Sequence, residues 1–232
     1  MSNIESNLKI VKEAINKSAK KTNRTLDDIV LVVVTKTRTV EEIKEVYQCG
    51  HKIIGENRIQ EAENKFRYLK ELNLEWHLVG HLQRNKVKDA INIFSMIHSV
   101  DSLRLAEEIN KGCEQKKIRM NVLLEINVSG EETKYGFKPN EIIPALKIIS
   151  EMRNVNVMGL MTMAPFAANP EDTRPVFRQL RELRDEIIEQ NILNINMKYL
   201  SMGMTNDYTV AIEEGANMVR IGTAIFQSFG VR

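Results

Sequence analysis

The chain has 232 residues and 43% hydrophobic content, enough for one large core, and single α/β barrels commonly occupy about this length. Its 33 basic and 31 acidic side chains leave a net charge of +2, which indicates neither a nucleic-acid surface nor a membrane-seeking one. Cys49 and Cys113 lack CxxC spacing, so neither a disulfide framework nor a zinc site is indicated. There is no signal-peptide pattern and no apolar run near the roughly 20 residues that cross a bilayer, so we predict a cytoplasmic protein.

An amphipathic helix is predicted over residues 2–21, and eight short apolar runs follow it with helical patterns between them. The predicted strands are residues 29–35, 52–55, 76–80, 96–99, 121–127, 155–161, 197–200 and 218–221. The main predicted helices between them are residues 40–48, 58–71, 102–117, 140–152 and 173–191. Such alternation is typical of βα units. We predict the α/β class and one domain over residues 1–232, a (β/α)8 TIM barrel, with a doubly wound open sheet as the alternative.

Helix boundaries agree with this division of the chain. Thr39 followed by Glu42 is a capping-box pattern for a helix start. Gly50, Gly112 and Gly215 fall where helices are predicted to end, because glycine adopts the left-handed conformation that closes many helices.

Lys36 follows the first predicted strand and is the first candidate for chemistry. A lysine at the end of a buried strand is easily desolvated, and desolvation frees its amine as a nucleophile toward carbonyls. Lys36 is therefore a candidate for Schiff-base formation. The alternative is a lysine that only extends into solvent from the barrel rim.

Two turns after the last two strands carry the second signal. Ser201-Met202-Gly203 and Gly222-Thr223 are small turns before predicted helix starts, where backbone N–H groups bind phosphate well. The alternative is that these glycines serve only the geometry of the turns. A reactive lysine together with a phosphate turn fits pyridoxal 5′-phosphate (PLP).

Arg220 ends the last predicted strand and is a candidate partner for the ring nitrogen of PLP. A guanidinium stays charged and only donates hydrogen bonds, so it would keep that nitrogen unprotonated and the cofactor a poor stabiliser of carbanions. The alternative is an ion pair between Arg220 and a carboxylate of the barrel.

The histidines do not predict a metal site. His77 and His81 are four residues apart, but on a strand this separates them by roughly 13 Å. His51 and His98 have no ligand partners at a recognisable spacing. The sequence also lacks the GxSxG, GxxxxGK[ST] and GxGxxG motifs, so nucleophile-elbow hydrolysis, nucleotide hydrolysis and dinucleotide binding have no motif support.

Seven stretches, in order, carry a resemblance to a known family. They are VTKT (34–37), GENR with QE (55–58, 60–61), WHLVGHLQRNK (76–86), SVD (99–101), GLMTM (159–163), LSMGM (200–204) and VRIGTAIF (219–226). Over nearly its whole length the chain resembles the YggS/PROSC family of PLP homeostasis proteins. The resemblance implies a fold-type III PLP protein with a barrel like the N-terminal domain of alanine racemase.

By motif position, the resemblance implies a Schiff base between PLP and Lys36, with Ser201, Gly222 and Thr223 on the phosphate. It also implies that Arg220 lies near the pyridine nitrogen.

Three further residues, Asn57, His81 and Met202, surround the cofactor by the same comparison. The family often has glycine directly after the IGTAIF stretch, whereas Gln227 follows here, so the last turn near the phosphate departs from the family pattern.

Together these features predict a carrier of PLP with no catalytic residues. Alanine racemase uses a second, β-rich domain that supplies an opposing base, and this chain ends about ten residues after its eighth predicted strand. We expect the protein to hold PLP and deliver it to apo forms of PLP enzymes, as a monomer or weak dimer, without nucleic-acid or membrane partners. Lys134, in the loop after the fifth strand, is a candidate acceptor during transfer.

Two other functions use the same residues. A fold-type III racemase or decarboxylase would need Lys36, Arg220 and a base opposite the lysine. A cofactor-free Schiff-base aldolase would use Lys36 with a phosphorylated sugar at Gly222 and Thr223.

Overall fold

A closed barrel of eight parallel strands forms the centre of the protein. The computed structural model describes residues 2–131 and 134–227. Each strand pairs with the next in chain order, and the last pairs with the first, so the predicted TIM barrel is confirmed and the open sheet is excluded. The strands are β1 Val30–Val34, β2 Ile53–Glu56, β3 Glu75–Leu78, β4 Met96–Val100, β5 Met120–Glu125, β6 Val155–Met161, β7 Ile195–Ser201 and β8 Met218–Ile221.

Helices pack around the outside of the barrel. They are α1 Asn3–Lys20, α2 Val40–Gln48, α3 Ile59–Leu69, α4 Val87–Ala90, α5 Leu103–Lys116, α6 Ile142–Ile149, α7 Arg174–Glu189, α8 Tyr208–Glu213 and α9 Thr223–Phe226. Short 3-10 turns cover Leu26–Asp28, Arg84–Lys86, Pro139–Glu141 and Pro170–Thr173. Helix α2 has its predicted bounds, and Thr39 and Glu42 form the capping box at its start. No helix in the described ranges is long and apolar enough to cross a membrane.

Gly112 does not end a helix, contrary to the sequence prediction. It lies inside α5, and the left-handed residue Lys117 closes that helix instead. A Cβ at position 112 would lie 3.2 Å from Ile91 Cδ1 and 3.4 Å from Val87 Cγ1. Gly112 therefore serves the close approach of α5 to the neighbouring α4 segment.

Two apolar clusters fill the protein, and the smaller one lies inside the barrel. It consists of Val32, Val79, Met96, Leu123, Met161 and Met218, and the larger cluster lies between the strands and the helices. Among the buried polar side chains of the strands, four are joined by contacts with one another, namely His77, His98, Ser201 and Arg220. Because buried polar groups are costly unless they are hydrogen-bonded, this polar set needs partners of its own.

Among the described glycines, Gly159 leaves the least room for a side chain. Its φ is +148°, and a Cβ there would lie 1.9 Å from the carbonyl oxygen of Tyr199 on the next strand. The pairing of β6 with both neighbours shifts register at this glycine. A side chain at this position would separate β6 from β7.

We expect Gly159→Ala to lower the free energy of unfolding by about 3 kcal/mol or more, because both the backbone angle and the contact with Tyr199 become unfavourable. Gly130→Ala is the matched control, since Gly130 also has a positive φ of +71° but has no atom within 4 Å of its Cβ position. That control should lose only about 1 kcal/mol. Urea denaturation compares the two, and equal losses would contradict the role of the strand contact.

Candidate functional site

Lys36 lies in a tight turn at the carboxyl end of β1. The N–H of Arg38 donates to the carbonyl of Thr35 over 3.0 Å, and Thr37 has a φ of +63°. The Lys36 side chain is exposed, so the desolvation expected from the sequence is not found. The expectation was wrong because the turn directs the chain out of the barrel immediately after the buried strand. The amine is accessible at the barrel mouth.

A buried ionic cluster fixes the residues on both sides of this lysine. The ammonium of Lys65 donates to Glu56 over 2.7 Å, to Glu61 over 2.6 Å and to the carbonyl of Thr35 over 2.7 Å. Glu61 also accepts the N–H of Thr37, and the hydroxyl of Thr35 donates to Glu56. Burial raises the pKa of Glu56, and the hydrogen bonds from Lys65 and Thr35 oppose that rise. The cluster holds the strained turn in one conformation.

The Gly222-Thr223 turn lies beside the lysine turn. Strands β1 and β8 are neighbours in the barrel, and a Cβ on Gly222 would lie 2.8 Å from the carbonyl oxygen of Val34. Thr223 is exposed at the first position of α9, where helix N–H groups have no partner within the helix. The guanidinium of Arg38 lies 5.3 Å from the ring centre of Phe226 and so joins the two turns.

Helix α1 holds the other end of α9. The buried side-chain amide of Asn7 donates to the carbonyl of Ile225 over 3.0 Å and to that of Gln227 over 2.9 Å. These carbonyls belong to the end of a helix that is one turn long, where main-chain acceptors lack helical partners. The first helix of the protein therefore fixes the turn that begins with Gly222.

Arg220 is buried inside the barrel below these turns. Its guanidinium donates to the hydroxyl of Ser201 over 2.6 Å and to the carbonyl of Thr162 over 2.9 Å. Burial lowers the pKa of Arg220 to about 10, opposed by the charges of Glu125 and Asp207, so the group stays charged at neutral pH. Among the described residues no carboxylate is within ion-pair distance of it, so the ion pair considered as an alternative does not hold this side chain.

The side chains of Ser201 and Met202 are both fully buried. The Ser201 hydroxyl contacts Arg220 and, over 3.0 Å, Nδ1 of His98. Met202 packs in the cluster between the strands and the helices. Neither residue is open to solvent at the barrel mouth.

Asn57 and His81 line one cavity of about 380 Å³ at the ends of β2 and β3. Nδ1 of His81 is 3.2 Å from Asp101, and the imidazole stacks on the ring of Tyr135 with 3.8 Å between centres and 15° between planes. His81 is therefore held between two loops at the mouth. The structure brings Asn57 together with His81, and Ser201 together with Arg220.

Glu125 is a titratable residue that the sequence reasoning missed. It ends β5 and is buried, and burial raises its pKa to about 7, with a smaller contribution from Asp101 and an opposing one from Arg220. It lines a cavity of about 140 Å³ together with Lys134 and Tyr135. Its place as the carboxylate that ends an apolar strand was a usable signal, because the ends of barrel strands carry the chemistry.

A second missed group lies inside the barrel. Nε2 of His77 is 3.0 Å from a carboxylate oxygen of Glu75, and Nδ1 of His77 is 3.0 Å from Nε2 of His98. The two-residue spacing of Glu75 and His77 on a strand gave a signal that they share a face. The contact between His77 and His98 had no such signal in the sequence. Residues 2–131 and 134–227 contain no cluster of three or more metal-ligand side chains.

Comparison with known proteins agrees with this architecture. The family described as alanine racemase, N-terminal domain, matches residues 2–228. The alanine racemase of Clostridium difficile has a TM-score of 0.75 at 18% identity over 99% of this chain and 56% of its own, which shows a shared fold.

Relatives with higher identity cover nearly the whole chain. The pyridoxal phosphate homeostasis protein of Aquifex aeolicus is 48% identical over 93% of this chain and 94% of its own, and that of Haemophilus influenzae is 36% identical over 97% and 95%. PipY of Synechococcus elongatus, solved with PLP bound, has a TM-score of 0.81 at 32% identity over 92% of this chain and 100% of its own. The chain therefore belongs to the alanine racemase N-terminal domain family, and within it to the pyridoxal phosphate homeostasis proteins.

Proposed function

We propose that this protein binds PLP as a Schiff base on Lys36 and holds it for delivery to apo-enzymes. The observation that carries the proposal is the grouping at neighbouring strand ends of an exposed amine, the Gly222-Thr223 turn and the buried guanidinium of Arg220. These groups suit the aldehyde, the phosphate and the ring nitrogen of PLP respectively. The names of the relatives and the PLP bound to PipY support the same function.

Each residue has a separate task in this proposal. When bound, PLP supplies an aldehyde carbon and an electron-accepting ring. The turn from Thr35 to Arg38 presents the Lys36 amine, and the start of α9 receives the phosphate. Arg220 donates to the ring nitrogen and keeps a proton off it, which weakens the ring as an electron acceptor. Asn57, His81, Ser201 and Met202 complete the surroundings of the cofactor.

An open mouth suits a carrier better than an enzyme. Lys36 is exposed, so an amine from another molecule can approach the carbon that it holds. Lys134 is a second amine near the mouth, paired with Glu131 over 2.8 Å, and we propose it as an intermediate acceptor during transfer. In this proposal the protein acts as one barrel domain, as a monomer or weak dimer.

Glu125 favours one alternative, racemase-like proton exchange. A general base works best when its pKa is near the working pH, and the pKa of this buried carboxyl is raised to about 7. The unprotonated ring nitrogen that Arg220 imposes argues against efficient turnover, so we place this function second.

For Lys36, we expect borohydride reduction of the protein mixed with PLP to leave one pyridoxyl group on the peptide that contains it. Lys36→Ala should lose this adduct and keep weak PLP binding through the phosphate. Peptide mass spectrometry checks both results. Lys52→Ala is the control, since Lys52 is exposed at the opposite, amino end of β2.

Labelling spread evenly over exposed lysines would contradict the assignment to Lys36. The relay through Lys134 is wrong if Lys134→Ala transfers PLP to an apo-enzyme as fast as the unmodified protein does.

For Thr223, replacement by valine should weaken PLP binding by about 1.5 to 3 kcal/mol, the value of a charge-assisted hydrogen bond, because the hydroxyl serves the phosphate. Pyridoxal has no phosphate, so its affinity should not change. Thr223→Ser keeps the hydroxyl and should bind PLP normally. Fluorescence or absorbance titration measures the three affinities, and an equal loss for both ligands would refute the phosphate role.

For Glu125, we expect the PLP-loaded protein in deuterium oxide to exchange the α-proton of amino acids no faster than free PLP does. If the racemase-like alternative holds, exchange should instead increase as pH rises through about 7, because a base must lose its proton to act, and Glu125→Gln should abolish it. Glu107→Gln, at an exposed position on α5, is the control. Mass spectrometry of a panel of amino acids decides between the two functions.

A further inference from the structure

We propose that His77 and His98 are positioning residues for Arg220. They fix it through a chain of hydrogen bonds that crosses the barrel, in which each member donates to the next. The chain runs from Arg220 through Ser201, His98 and His77 to Glu75. Its role toward the cofactor rests on the proposed binding of PLP, whereas its direction and its hold on Arg220 are properties of the protein alone.

The chain is continuous from one end of the barrel to the other. The distances are 2.6 Å from Arg220 to the Ser201 hydroxyl, then 3.0 Å to Nδ1 of His98. They continue with 3.0 Å from Nε2 of His98 to Nδ1 of His77 and 3.0 Å from Nε2 of His77 to Glu75. Glu75 begins β3 and its side chain is 48% exposed, whereas the other four members are buried. The chain therefore links solvent at the amino end of the barrel with the arginine below the mouth.

Both ends of the chain dictate its direction. A guanidinium only donates, so the oxygen of Ser201 accepts from Arg220 and the hydroxyl proton is left to go to His98. An ionised carboxylate only accepts, so Nε2 of His77 donates to Glu75.

With both rings neutral, the two imidazoles between these ends have one arrangement in which every contact is a hydrogen bond. Nδ1 of His98 accepts from Ser201, and Nε2–H of His98 donates to Nδ1 of His77. Each ring then carries its proton on Nε2. The neutral state of His98 agrees with its setting, because burial, together with the positive charge of Arg220, holds the pKa of His98 well below its usual range.

The arrangement also commits the hydroxyl proton of Ser201. That proton goes to His98 and not to a phosphate, so the side chain of Ser201 steadies Arg220. Thr223 and Ser201 are then distinguishable, since loss of the Ser201 hydroxyl should weaken PLP and pyridoxal alike. The direction of these hydrogen bonds would reverse only if the side chain at position 75 donated to His77 instead of accepting from it.

The first test uses the protein without PLP. Nitrogen-15 NMR of the imidazoles should show His77 and His98 neutral, with the proton on Nε2, at pH 7 to 8. A proton on Nδ1 of either ring, or a charged His77, would overturn the chain. In Glu75→Gln the amide can donate or accept, so we expect a mixture of imidazole tautomers. Glu71→Gln, at an exposed position, is the control and should keep the single tautomer of the unmodified protein.

The second test measures the hold on Arg220. The guanidinium protons of Arg220 should exchange with solvent about tenfold faster in His98→Gln and in Glu75→Gln than in the unmodified protein, because the hydroxyl of Ser201 loses its fixed orientation. His51→Gln is the control, since His51 lies before β2, its Nε2 is 2.9 Å from the carbonyl oxygen of Ile53, and it is not a member of this chain of hydrogen bonds. Exchange that stays at the unmodified rate in Glu75→Gln would overturn the positioning role even if His98→Gln fails to fold.

The third test joins the chain to the cofactor. PLP and pyridoxal should both bind about fivefold more weakly to Glu75→Gln and Ser201→Ala, with a shifted absorbance maximum, while Thr223→Val should affect PLP alone. Unchanged affinity and spectrum in both variants would overturn the role toward the ring nitrogen. Failure of the unmodified protein to bind PLP would refute the proposed function and leave the first two tests to decide the chain.

Discussion

A permanent positive charge inside a closed barrel is the constraint on which the site depends. Arg220 cannot lose its proton at neutral pH, and an unpaired buried charge is far more costly than the whole protein is stable. Hydrogen bonds to Ser201 and the carbonyl of Thr162 meet this demand with uncharged partners. The Ser201 hydroxyl in turn needs a hydrogen-bond acceptor in the apolar interior. His98 supplies that acceptor, and His77 in turn contacts His98.

The barrel was predictable because its signal is repeated along the chain. Apolar runs alternating with amphipathic segments recur at every unit, and only a parallel sheet buries all of them. Local chemistry also predicted α2, whose Thr39 and Glu42 cap its start within three residues of each other. The prediction that Gly112 ends a helix was wrong for the opposite reason. A glycine is needed there because α4 packs closely against it, and not because of its own backbone conformation.

Some residues of the candidate site could be grouped from their positions in the sequence, whereas others could be grouped only once the fold was known. Strand ends meet at the barrel mouth, so Lys36 and the Gly222 turn could be grouped from the sequence. The pairing of Lys65 with Glu56 below that lysine, and of His77 with His98, depends on which side chains face each other across space. Sequence spacing records only neighbours along the chain, so these contacts had no signal, and the exposure of Lys36 depended on the direction of a turn.

The contact of Asn7 with the end of α9 makes the Gly222-Thr223 turn a late product of folding. Helix α1 is synthesised long before α9, and β8 must reach β1 before the barrel closes. Contacts between such distant segments form slowly, because the chain between them must already be ordered. A growing or partly unfolded chain presents Lys36 without the Gly222-Thr223 turn beside it, so under the proposed function only a closed barrel can hold both ends of a phosphorylated aldehyde.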